Sequence, residues 1–141
     1  MTDIHAALGV SQMRKIDEFV KKRKKIAKYY DKAFFDKPVT TPWQHLDTSS
    51  SYHLYTVCID KEQCGKSQRH VYDEMRKNGI GVSLHYMPVY RHPYYQSLGF
   101  KIGYCSNAEY IYKQIISLPI YPKLKVEDQD YIIHKMKEVL K

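Results

Sequence analysis

From Ile16 onward the apolar residues Phe19, Val20, Ile26, Ala27, Tyr30 and Phe34 fall three or four positions apart, the spacing of one helix face. No proline occurs before Pro38. The pattern predicts one helix over 2–34, with Thr2 as N-cap and Asp3 well placed at the positive helix start. The first half of that helix differs from the second. Ile4, Ala6, Ala7, Leu8, Gly9 and Val10 are apolar or small on every side, as in a helix buried all round. Gly9 costs about 1 kcal/mol of helix propensity and admits a close backbone. The segment is expected either to face a partner surface outside the chain or to be buried within a small bundle, and patterning alone supports both. The first alternative makes the chain a fragment, or one half of an interface.

Residues 35–51 carry Pro38, Pro42 and a serine run and read as a polar connection. YHLYTVCID, 52–60, is β-branched and aromatic with apolar residues on both faces, the pattern of a covered strand. A helix is predicted over 67–78, with Val71, Tyr72 and Met75 inward, ending at Asn78-Gly79. GIGVSLHYM, 79–87, reads as a second strand. It places Ile80, Val82, Leu84 and Tyr86 on one face and Gly81, Ser83, His85 and Met87 on the other. Residues 90–104 form a tyrosine-rich loop or short helical turn. Ser106-Asn107-Ala108-Glu109 has the form of a capping box opening a helix to Ser117, which Leu118-Pro119 closes. Val126–Leu140 is predicted as a last helix with Tyr131, Ile132, Met136, Val139 and Leu140 buried. Helix, strand, helix, strand, helix, helix argues for an α/β sandwich, a short sheet covered by helices.

Composition narrows the function class. The chain has 141 residues, 43% hydrophobic and 27% charged, values of one ordinary globular domain. No apolar run approaches the roughly 20 residues of a membrane span, and the N-terminus lacks a signal-peptide pattern. Cys58, Cys64 and Cys105 are odd in number and lack CxxC spacing, which argues against a disulfide framework or zinc site. A reduced, cytoplasmic chain with no membrane partner is expected. The net charge of +8 raises nucleic acid as a partner. The basic residues are 18 lysines against 5 arginines, whereas bidentate recognition of phosphate or guanine favours arginine. The densest run, Lys21 to Lys25, points all round a helix axis and makes no single basic face. It is read as a solvated helix middle.

SLHYMPVYRHPYY, 83–95, holds the candidate chemistry. His85 lies opposite Ile80, Val82 and Leu84, beside the small residues Gly81 and Ser83, and Pro88 stops the strand three residues later. That places His85 near a strand end, where ligand sites of α/β folds gather. The alternative is a histidine satisfied by hydrogen bonding at a sheet edge. Metal binding is disfavoured, because a proline-broken loop separates His85 from His92 with no carboxylate nearby in sequence. The tyrosines, 14 beside 4 Phe and 1 Trp, cluster at 86–95 and 104–112. Base stacking is one use of such residues, but no RNP-type segment appears, and the rim of a pocket or interface suits them better. No Ser-His-Asp set, paired carboxylates or phosphate-cradling loop can be argued from spacing. The residues look like contributors to a site more than a complete one. A basic α/β nucleic-acid-binding module and an autonomous interaction domain remain the alternatives.

Several segments together resemble one family. MTDIHAALGVSQMRKIDEF (1–19) resembles the helix after an Asn-Tyr-Arg segment in the DegT/DnrJ/EryC1/StrS sugar aminotransferases. GIGVSLHYMPVYRHPYYQSLGF (79–100), NAEYIY (107–112) and SLPIYPKL (117–124) resemble segments of that family's C-terminal domain, in the same order. The second and the last are most similar to members that act in pseudaminic acid biosynthesis. The resemblance implies a pyridoxal phosphate (PLP) enzyme of the aspartate-aminotransferase fold, fold type I, working as a homodimer with sites at the subunit interface. It implies that a lysine of a large N-terminal domain holds the cofactor. Residues 1–35 would then be a helix leading to that missing domain and 36–141 the small C-terminal α/β domain. The implied substrates are a UDP-linked 4-keto-6-deoxy-N-acetylhexosamine and an amino-acid donor, glutamate foremost. His85, Tyr86, Met87, Pro88 and Val89 match the segment beside the sugar nucleotide, and Tyr94 and Tyr95 match positions that shape the pocket wall. No catalytic, cofactor-binding or metal-binding residue is expected in this chain, which alone should be inactive and prone to self-association.

Overall fold

The computed structural model describes all residues 1–141. The predicted single N-terminal helix is two: α1 (Asp3–Met13) and α2 (Ile16–Phe34), separated by a turn at Arg14-Lys15. Thr2 caps α1, its hydroxyl accepting from the His5 backbone N–H. α1 buries none of its residues, and Ile4 is 81% exposed. Burial within an internal bundle is therefore ruled out for this segment. The break follows from that exposure, because α2 is anchored by Ile26, Ala27, Tyr30 and Phe34 whereas nothing holds α1 in line with it.

After α2 come β1 (Val39–Thr40), β2 (Tyr55–Ile59), a one-turn α3 (Lys61–Cys64) and α4 (Gln68–Lys77). Ser67 caps α4, and Gly79 takes the left-handed conformation that stops it, as Asn-Gly does at helix ends. A 3₁₀ turn (Val89–Arg91), α5 (Pro93–Ser97), α6 (Ser106–Tyr112), β3 (Ile115–Leu118) and α7 (Val126–Val139) complete the chain. Three expectations are corrected here. The strand predicted at 79–87 is an extended segment joined to β3 by one antiparallel bridge, Ser83 to Ser117. The helix predicted from Ser106 to Ser117 ends at Tyr112, and its last residues are strand β3. β1, inside the supposed polar connection, was not foreseen; its two residues lie below the length at which alternation is readable.

The sheet is antiparallel, in the order β1-β2-β3, with Tyr55 opposite Leu118 and Val57 opposite Ile116. Tyr55, Val57, Ile59, Ile116 and Leu118 share the buried face, against which Ile26, Tyr30 and Phe34 of α2, Val71 and Met75 of α4, and Ile132 and Met136 of α7 form one core. Tyr131, expected inward on α7, is exposed at its ring, and its hydroxyl donates to the Asn78 carbonyl at 3.1 Å. Gln129, not Tyr131, turns in and donates to the Ile26 carbonyl. Polar ties close the package. Arg23 Nη1 lies 3.0–3.1 Å from the carbonyls of Tyr52, His53 and Ile120, and Gln68 donates to the carbonyls of Tyr112 and Ile115. No helix is long and apolar enough to cross a membrane.

Candidate substrate-binding site

The sheet's second face carries Thr56 opposite Ser117 and Cys58 opposite Ile115. Ile80 and Val82 are buried in the core, so the alternation of an extended chain turns Ser83 and His85 toward this other face. Ser117 meets them there. Its backbone exchanges hydrogen bonds with Ser83 at 2.8 and 3.2 Å, and its buried hydroxyl lies 2.7 Å from His85 Nδ1. One ring nitrogen is thus occupied and the imidazole is fixed, leaving Nε2 for a ligand. Both sequence readings of His85 describe part of this: it is satisfied at a sheet edge, and it faces open space.

That space is an open groove of about 360 Å³. His85, Tyr86 and Pro88 line it from the segment after Val82, Asn107, Ala108, Ile111 and Tyr112 from α6, and Ile115 from β3. The Tyr86 ring stands edge-on to His85 with centroids 4.6 Å apart. Met87 and Val89, also candidates, are solvent-exposed and do not line the groove. Tyr94 and Tyr95 lie outside it as well. They belong to a chain of ring contacts running through Phe100 and Tyr104 to Tyr90, which packs the 90–104 loop on itself. The crowding of tyrosines is therefore partly a surface cluster of rings within the loop itself, with Tyr94 and Tyr104 largely exposed.

Glu109 holds that loop to α6. It does not reach back to cap the helix, as the capping-box spacing predicted; the cap position, Cys105, has no side-chain hydrogen bond. The Glu109 carboxylate is buried and accepts from the Tyr90 hydroxyl and the Gly103 N–H, both at 3.1 Å, with Arg91 Nε at 3.7 Å. Burial, then the bond to Glu109, pushes the Tyr90 phenol above its ordinary range. Ser117, Glu109 and Arg91 were not among the residues singled out from sequence. Ser117 looked like a helix end, and a carboxylate at the fourth position of a capping box gave no sign of a loop contact.

The structure brings no three His, Cys, Asp or Glu side chains together in a metal-binding group. The basic run disperses, as its spacing predicted. Arg23 turns to backbone carbonyls, Lys24 reaches the Ser49 hydroxyl, and Lys22 pairs with Glu18 at 2.6 Å.

A family model described as the DegT/DnrJ/EryC1/StrS aminotransferase family matches residues 1–137. The chain belongs to this family. Among its relatives, the spore coat polysaccharide biosynthesis protein SpsC of Bacillus subtilis is 35% identical over 100% of this chain and 37% of its own length. The UDP-4-amino-4,6-dideoxy-N-acetyl-beta-L-altrosamine transaminase of Campylobacter jejuni is 32% identical over 94% of this chain and 35% of its own. Spr1654 of Streptococcus pneumoniae, described as a sugar aminotransferase, superposes with a TM-score of 0.90 at 32% identity, covering 99% of this chain and 36% of that one in its PLP form. The chain thus spans about a third of the length of these relatives. Its fold class is that of the fold-type I, PLP-dependent sugar aminotransferases.

Spr1654 has been solved with PLP and with its amino form, PMP. The residues of the present chain do not fit as the site of a covalently held PLP. Each of its lysines is exposed or half-buried, and none lines the His85 groove, whereas a lysine made reactive toward a carbonyl needs an enclosing, desolvating pocket. No chemical step is assigned to these lysines.

Proposed function

We propose that this chain is the C-terminal, substrate-binding part of a PLP-dependent sugar-nucleotide aminotransferase that aminates a UDP-linked 4-keto-6-deoxy-N-acetylhexosamine, with glutamate as donor. The observation that carries the reading is His85, locked by Ser117 at the mouth of a groove built from the family-like segments 79–100 and 107–112. In this reading the chain's own residues bind and orient. His85 offers Nε2 to a sugar hydroxyl or carbonyl oxygen, Tyr86 and Pro88 wall the sugar, and Met87 and Val89 meet the substrate or a second subunit from the groove's outer side. The cofactor chemistry belongs to a large domain outside this chain, and the parent enzyme is a cytoplasmic homodimer. The apolar residues spread round α1, with Ile4 and Leu8 exposed, support a domain or subunit packed on it, since a wholly solvated helix rarely carries such a surface.

The test expresses the chain in one polypeptide with the family's large domain and follows the PLP absorbance band. The reading expects a band that disappears on adding glutamate and returns with the 4-keto sugar nucleotide. A protein that holds no PLP, or whose band ignores glutamate, sinks it.

A further inference from the structure

We propose that Arg91 reads the diphosphate of the nucleotide-linked substrate. This rests on the sugar-nucleotide reading above and adds a residue to it. The groove lining includes no permanently charged side chain, yet a nucleoside diphosphate sugar brings about two negative charges that need partners once water is displaced. Arg91 does not line the groove but lies against a residue that does. Its guanidinium lies 5.3 Å from the centroid of the Tyr112 ring, and Tyr112 lines the groove.

Arg91 is also preset for such a task. Its side chain is only 24% exposed, its Nε lies 3.7 Å from the Glu109 carboxylate, and its guanidinium carbon lies over the Tyr112 ring. Glu109 is itself held by the Tyr90 hydroxyl and the Gly103 N–H. Neither terminal nitrogen of Arg91 makes a hydrogen bond within the chain, and no buried side-chain nitrogen or oxygen lacks a partner. The two Nη groups are therefore not sealed from solvent, on a guanidinium contacted by Glu109 and Tyr112. An ion-paired arginine over an aromatic ring with its outer fork free matches the geometry of phosphate oxygens, and a lysine in its place would not. The competing explanation is a structural ion pair that merely fastens the loop. It predicts a different pattern of loss.

The test measures, in the chain joined to its large domain, the affinity for UDP and for uridine by calorimetry, in wild type, Arg91→Ala and Arg91→Lys. Arg91→Ala is expected to weaken UDP binding about ten- to hundredfold, the effect of one charge-assisted pair, and to leave uridine binding unchanged. Arg91→Lys, which keeps the charge opposite Glu109 and so the loop, is expected to lose several-fold on UDP alone. Equal loss for UDP and uridine would show the structural role and overturn the proposal. So would undiminished UDP binding in both variants, with the sugar-nucleotide reading left standing. A wild-type protein that binds neither ligand would overturn that reading and the proposal together.

Discussion

Ser117 decides where His85 points. Its hydroxyl is buried and meets one ring nitrogen at 2.7 Å, so the opposite nitrogen is the one presented to the groove. Ser117→Ala is expected to free the imidazole and weaken sugar-nucleotide binding several-fold while leaving the fold intact, because the Ser83–Ser117 backbone bonds remain. Ligand titration of the variant, with amide exchange at Ser83 as the control for the fold, checks it. A second residue-scale prediction concerns Tyr90. Its phenol is raised by burial and by the bond to Glu109, so the neutral form is favoured in the folded state. The stability this contributes is complete below the ordinary tyrosine range and is lost as pH rises through the higher folded-state value. Glu109→Gln is expected to lower the midpoint of the Tyr90 phenolate transition, read by ultraviolet titration, and an unmoved midpoint would remove Glu109 as a cause. Arg23 is the third case. One nitrogen serves three backbone carbonyls from distant parts of the chain, so Arg23→Ala is expected to lower stability by about 2–3 kcal/mol in urea denaturation. The side of the chain on which His85 lies was legible in sequence because the alternation of an extended segment acts locally. Ser117, Arg91, Arg23 and Glu109 were not, because each acts on partners that only the folded chain brings near.

Among elements, periodicity was most informative where one face is buried and the other solvated. α2, α4 and α7 each pack one stripe on the sheet, and their apolar spacing placed all three. α1 defeats that logic, since its apolar residues are exposed here and the chain alone gives no periodic reason for a boundary at Arg14-Lys15. The strand expected at 79–87 is an extended segment with a single bridge, and the end of the helix expected to reach Ser117 is strand β3, for a related reason. Each turns on a few apolar residues, Ile80 to Leu84 and Ile115-Ile116, too few for periodicity to divide between helix and strand, and Gln68 fixes the end of α6 by holding the Tyr112 and Ile115 carbonyls. A contrast between elements is testable in the 141-residue chain. Leu8→Lys on α1 is expected to change stability by less than about 0.5 kcal/mol and to reduce self-association. Ile116→Ala on β3, with its side chain fully buried, is expected to cost about 2–5 kcal/mol. Denaturation midpoints and light scattering read both. A large loss from Leu8→Lys would mean that α1 packs on this chain after all.

At the scale of the whole molecule, the sheet separates two tasks. One face and three helices make a core that holds the chain together. The other face, the Ser83–His85 segment and α6 make a groove with a fixed histidine and a fixed arginine near it, but no enclosed lysine. The chain spans about a third of the length of the relatives it matches. The central claim is that His85 marks the sugar-nucleotide site of an aminotransferase. It is tested most directly by steady-state kinetics of the joined enzyme with His85→Ala, varying glutamate and the UDP-linked 4-keto sugar separately. The account predicts that the KM for the sugar nucleotide rises at least tenfold while the half-reaction with glutamate is unchanged. Equal kinetics toward the sugar in wild type and variant, or a loss confined to glutamate, would contradict it.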